Sequence, residues 1–146
     1  VGSEMCIRDR IDPWNTVEHD FRNGETETNY ISRMLSKINA FAKLHDIHIW
    51  VISHPRKMEV SMEGVVTVPT LYDISGSANW YNKIDNGITI HRHRTDDDDY
   101  VGVYVGKIRH QYKNGKPGVA EFEYNTTTGR YHERHERHGT ERNLFG

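Results

Sequence analysis

The sequence is short of cysteine, of long apolar runs and of charge of one sign. A single cysteine, Cys6, in 146 residues leaves no disulfide framework and suits a reducing cytosol. No apolar run approaches the roughly 20 residues that cross a bilayer as a helix. With 19 Lys and Arg against 21 Asp and Glu, the net charge is −2, so contacts to a polyanion would need local basic loops and not an overall positive field. Hydrophobic residues make up 35%, enough for one domain and too few for two, and no internal repeat is visible. Histidine, by contrast, is plentiful at ten. The spacings His45-x-x-His48 and His91-x-His93 lack cysteine or carboxylate partners in a ligand pattern, which argues against structural zinc. Asp96 to Asp99 reads as a solvated turn between two strands.

The most telling stretch is Ile47 to Ser53, an apolar, β-rich run that ends in His54-Pro55-Arg56-Lys57. It is too apolar for one wet face and predicts a strand at the centre of a parallel sheet covered by helices. Pro55 has no N–H for the ladder and ends it. In open α/β sheets, ligands sit beyond the carboxyl ends of such strands, which places His54, Arg56 and Lys57 where a phosphate is handled.

Val1 to Arg10 resemble a translated sequencing-adapter peptide and are set aside, so that the native text is expected to start at Ile11, inside a domain. Ile11-Asp12-Pro13-Trp14 reads as a strand tail with the aspartate at its carboxyl end. After a polar loop with Asn23-Gly24, a helix is expected from Thr28, its N-cap. Ile31, Met34, Leu35, Ile38, Phe41 and Ala42 fall on one face of that helix, which completes a β-α-β unit with a right-handed crossover. Met58 to Leu71 is expected to be a long loop, Ala78 to Asp85 a short helix or turn, and Gly87 to His91 a strand. Tyr100 to Lys107 alternates valines with Tyr and Gly, so one face should be the more buried; Asn114-Gly115 then turns the chain into a partner strand, Val119 to Tyr124. The charge-rich end, residues 132–146, is expected to be a disordered tail.

The order of Asp12, His54, Asp73-Ile-Ser-Gly-Ser77 with Asp85, and Lys107-Ile-Arg109 resembles the downstream half of the RecA-like helicase domain of ring-shaped replicative DNA helicases, the family of bacterial DnaB, phage primase-helicases and mitochondrial Twinkle. The resemblance covers residues 11–131. It implies an α/β fold, a partial RecA-like core followed by a C-terminal antiparallel hairpin, in an ATP-dependent DNA helicase working as a homo-oligomeric, hexameric ring on single-stranded DNA. The compartment it implies is the cytoplasm of a bacterial or phage-infected cell, with the mitochondrion as the alternative.

By the same resemblance, Asp12 stands for the aspartate that holds the Mg2+ of Mg-ATP through a hard oxygen, and His54 for the polar sensor of the γ-phosphate. Arg56 and Lys57 lie on a loop expected to face single-stranded DNA. Ser75, Gly76 and Ser77 belong to a DNA-binding loop, in which glycine admits a phosphate and a hydroxyl donates to it; family members commonly carry arginine where this chain has Ser75. Asp85 is expected to orient that loop. Lys107 and Arg109, two apart on a strand, share a face and are implied to reach a neighbouring subunit's ATP, the arginine as a finger worth roughly 10³ to 10⁵ in rate in other nucleotide hydrolases.

The Gly-rich loop ending in Gly-Lys-Ser/Thr is not in these residues, and neither is the family's catalytic glutamate. Truncation is the simpler explanation, and the chain alone is not expected to hydrolyse ATP. The phosphate-loop strand would lie between the strand ending at His54 and the strand beginning near Gly87. Its loss is expected to leave a marginally stable chain, or one that closes the gap by a non-native pairing. Two other readings stay open: a non-enzymatic single-strand binder that uses Lys107, Arg109, Tyr104 and Tyr112 as its platform, and a RecA-like ATPase of recombination or regulation.

Overall fold

The computed structural model describes residues 8–58, 66–95 and 98–134, with Ser77 placed by its backbone alone. Strand β1, Arg8–Ile11, pairs in parallel with β2, His48–Val51, Ile11 standing opposite Val51. Two more bonds extend this edge: Ile52 N–H donates to the Ile11 carbonyl at 2.9 Å, and Trp14 N–H to the Ile52 carbonyl at 2.7 Å. The strand expected before Asp12 is therefore present, but Arg8, Asp9 and Arg10, set aside in the sequence, supply most of it. Ladder bonds come from backbone and accept almost any side chain; all three are exposed, and only Ile11 packs against the core.

Helix α1, Glu27–His45, joins the two strands, so the parallel β-α-β unit is as expected. Its cap is Thr26 and not Thr28: the Thr26 hydroxyl accepts from Asn29 N–H at 3.3 Å, and its extended backbone leads into the helix. Tyr30, Ile31 and Leu35 are buried, with Met34 and Ile38 packed beside them. Phe41, expected on the same stripe, is half exposed because the core ends before it.

The β2 strand is not doubly covered. Its residues alternate, Ile49 and Val51 half-buried, His48 and Trp50 exposed, because among the described residues the parallel sheet has two strands and α1 packs on one side. Beyond β2 come a 3-10 turn at Leu71–Asp73 and helix α2, Ser77–Lys83. Residues 59–65 of the expected loop lie outside the described residues. Three bonds clamp α2 to α1: Asn39 Nδ2 to Lys83 O at 2.6 Å, Lys83 Nζ to Ser36 Oγ at 2.6 Å, and Asn79 Nδ2 to Thr28 O at 3.1 Å. Between them sits the core of Trp14, Tyr30, Ile31, Leu35 and Trp80, with the two tryptophans edge to face at 5.6 Å.

The expected C-terminal hairpin is a larger unit. β3, Asn86–Arg94, β4, Asp99–Ile108, β5, Gly118–Asn125, and β6, Arg130–Glu133, form a four-stranded antiparallel meander. His132 and Glu133, expected in a disordered tail, pair with β5, because a backbone ladder does not require apolar side chains; residues 135–146 lie outside the described residues. No ladder joins β2 to β3 among the described residues, so of the two expected outcomes the non-native pairing is not formed there. On β4 the more buried face is that of Gly102 and Tyr104: the tyrosine ring lies over the glycine, where a Cβ would come within 2.4 Å of it. No helix of the described residues is long and apolar enough to cross a membrane.

Candidate functional site

Asp12 and His54 lie at the same, carboxyl edge of the parallel pair, because Ile11 and Val51 are in register and each residue follows its strand closely. Asn15, which sequence reasoning missed, sets the turn between them. Its Oδ1 accepts from His54 N–H at 2.8 Å and from Ser53 Oγ at 3.2 Å. The only hint in the sequence is its place behind Asp-Pro-Trp, where a short amide suits a turn. The Asp12 carboxylate faces Arg10 Nε at 3.4 Å and is 39% exposed. Among the described residues no three His, Cys, Asp or Glu gather to hold a metal. A lone, accessible carboxylate nevertheless fits Mg2+, which takes one or two carboxylates and fills its octahedron with waters and phosphate oxygens.

The next loop is tied to the 3-10 turn that precedes α2. Arg56 N–H donates to the Asp73 carbonyl at 2.7 Å, and Arg56 Nη2 to the Tyr72 carbonyl at 3.3 Å, which brings the segments of Arg56 and of Ser75 and Gly76 together. Lys57 is exposed beside it. Asp73 closes the 3-10 turn on itself, because its carboxylate accepts from Thr70 N–H at 2.7 Å and Oγ1 at 2.8 Å in a reciprocal capping box. Ser75 Oγ donates to Glu27 Oε1 at 2.8 Å, and its carbonyl accepts from Trp80 Nε1 at 2.8 Å. Gly76, at φ +73°, sits so close to Ile31 that a Cβ would come within 2.6 Å of its Cδ1. The Ser77 side chain lies outside the described residues. Glu27 could not be picked out as a partner from 48 residues away; only packing of α1 on α2 brings it there.

Lys107 on β4 and Arg109, which was expected on the same strand but lies one residue past its end at Ile108, both reach the C-terminal end of α2. Lys107 Nζ donates to the Tyr81 carbonyl and lies 4.8 Å from the Tyr81 ring centroid. Burial, helped by the neighbouring Arg109, lowers its pKa. Arg109 Nη1 pairs with Asp85 Oδ1 at 2.7 Å, while Nη2 faces the Asn82 and Ile84 carbonyls at 3.4 and 3.5 Å. Cations at carbonyls left over by a helix end are favourably placed. Tyr81 in turn stacks on Tyr72 at 4.9 Å, a link no spacing rule would reveal.

The platform expected of a simple strand binder is not assembled. Tyr104 is buried, its hydroxyl 2.6 Å from His93 Nε2, and Tyr112 stands exposed on the short helix α3, Gln111–Asn114.

No family model matches the chain. Over 124 residues, 83% of its length, the chain is 42% identical to the Twinkle homolog protein, chloroplastic/mitochondrial, of Arabidopsis thaliana, and it spans 17% of that protein. The resemblance to the Twinkle family read from the motif order is therefore found again in the similarity to part of a Twinkle homolog.

Proposed function

We propose that this chain is part of an ATP-driven DNA helicase whose RecA-like domains form a ring, each nucleotide site drawing residues from two subunits. The observation that carries this reading is the 42% identity to the Twinkle homolog, taken with motif residues in the expected order. The placement of Asp12 and His54 on one strand edge supports it.

In this reading Asp12 would supply the hard oxygen for magnesium, which when bound would offset negative charge on the nucleotide's phosphates. His54, anchored through its backbone to Asn15, presents an imidazole to the same edge and senses the terminal phosphate. Lys107 and Arg109 reach a neighbour's phosphates, the guanidinium meeting charge that builds during phosphoryl transfer. Arg56, Lys57, Ser75, Gly76 and Ser77 follow the backbone of single-stranded DNA, and the Arg56 to Asp73 bond makes their two loops move together.

The test is Arg109→Ala in the full-length protein. DNA-stimulated ATP hydrolysis should fall by roughly 10³ or more. An unchanged rate would overturn the finger assignment. Strand displacement by the full-length protein separates a helicase from a related ATPase of recombination.

A further inference from the structure

We infer that Asp85 is the positioning residue for Arg109, and that α2 connects this pair to the loop of Ser75 and Gly76. The inference rests on the finger reading of Arg109 and goes beyond the loop-orienting role expected of Asp85.

Two contacts from one residue hold both ends of the arginine. At its root, Arg109 N–H donates to the Asp85 carbonyl at 2.8 Å; at its head, Nη1 meets the Asp85 carboxylate at 2.7 Å. The remaining contacts of the head, Nη2 to the Asn82 and Ile84 carbonyls, are long at 3.4 and 3.5 Å. An incoming phosphate oxygen can replace those long bonds while the Asp85 carboxylate keeps the fork oriented. The arginine is 37% exposed at its side chain, so the head is accessible to an anion from outside.

Asp85 stands just past the end of α2, and Gly76 just before its start. Seven residues of helix span about 10 Å. There is little slack at the Gly76 end, where Ile31 already fills the space of a Cβ. Because α2 is clamped to α1, a strand that displaces Ser75 and Gly76 shifts the two helices together and carries the Asp85 carboxylate with them. A second path runs parallel: Arg56 holds the Tyr72 carbonyl, Tyr72 stacks on Tyr81, and Tyr81 holds Lys107. Both cations are thus attached to the part of the chain that would meet DNA.

The test uses the full-length protein, with Asp85→Asn, Asp85→Glu and Arg109→Ala alone and Asp85→Asn combined with Arg109→Ala. Asp85→Asn should lower the kcat of DNA-stimulated ATP hydrolysis about fivefold, the reach of one half-exposed ion pair, with KM unchanged. Asp85→Glu should recover most of the rate, and Asp85→Asn should add nothing to Arg109→Ala. An equal loss on both backgrounds means that Asp85 acts through folding and overturns the inference. So does a normal rate in Asp85→Asn beside a severe loss in Arg109→Ala, which leaves the finger reading standing. If Arg109→Ala alone is fully active, the finger reading and this inference fall together.

Discussion

The half built from β1, β2, α1 and α2 buries large aromatic and aliphatic side chains against one another, whereas the β3 to β6 sheet buries very few. Trp14, Tyr30, Ile31, Leu35 and Trp80 form one contiguous cluster in the first half. In the sheet the one buried hydrophobic side chain among the described residues is Tyr104, and its hydroxyl is bonded to His93. On the opposite face Ile90 is 73% and Tyr131 57% exposed. The polar face is layered instead: Arg134 lies 4.5 Å over Tyr100, Tyr100 stacks on His93 at 4.5 Å, and Arg134 pairs with Asp98 at 2.9 Å. Packing thus stabilises one half, and backbone ladders with a histidine-centred stack the other. The two should respond differently to cavities and to acid.

The largest effect should come from Trp80→Ala, which removes a 2% exposed ring from the first half and the bond from its Nε1 to the Ser75 carbonyl. A loss of about 3–5 kcal/mol is expected there. Trp14 and Trp50 remain as fluorescence reporters of that half, since the chain's three tryptophans all lie in it. Hydrogen exchange of the Val101 to Val105 amides reports the sheet. If the sheet amides lose protection together with the tryptophan signal, the two halves are one cooperative unit and the contrast fails.

Next in size is the acid response of the sheet. Burial lowers the pKa of His93, with a further push from His91 and an opposing pull from Asp98; burial lowers that of His91 as well. Their unfolded value is 6.5, so below it the unfolded chain takes up protons that the fold refuses. Sheet stability should be full above pH 6.5 and fall as the pH drops from there towards the depressed folded values. Exchange of the β4 amides between pH 7.5 and 5 measures this, and His93→Gln should flatten the slope. A flat wild-type profile would show that the stack does not govern the sheet.

The smallest effect belongs to the first half. The Arg33 guanidinium, at 2.7 and 2.8 Å, and the Arg22 N–H hold Glu25 down to about 2. Its contribution is present above the ordinary carboxylate value of 4.5 and is lost as the pH falls towards 2. Glu25→Gln should therefore lower the tryptophan-monitored melting temperature slightly at pH 7 and by less near pH 2, where the folded carboxylate is being protonated. An equal difference at both values would rule out the ion pair as its cause.

Much of the first half was legible because its signals are local. The stripe from Ile31 to Ile38 has helical period, and the strand edge with Asp12 and His54 follows from the apolar run that stops at His54 and from Ile11 stopping at Asp12. The sheet was less legible: β6 carries Arg, His and Glu, which no burial pattern singles out, so its pairing with β5 was missed. Within the candidate site, Asp12, His54, Lys107 and Arg109 were named from order alone. Their partners Asn15 and the Tyr81 carbonyl, and the tie between Glu27 and Ser75, were not, because each depends on contact between segments remote in the chain.

The amino-acid sequence by itself determined the types of the elements that carry a local pattern, α1, β2 and β3 to β5, together with the turn positions and the order of the polar motif residues, since periodicity, glycine and proline act over a few residues. Which strands pair, which face of β4 is buried and which carboxylate holds Arg109 were decided only by the tertiary structure. Those are choices among remote partners of similar chemistry, and they are made by the summed packing of α1 on α2 and the register of the sheets.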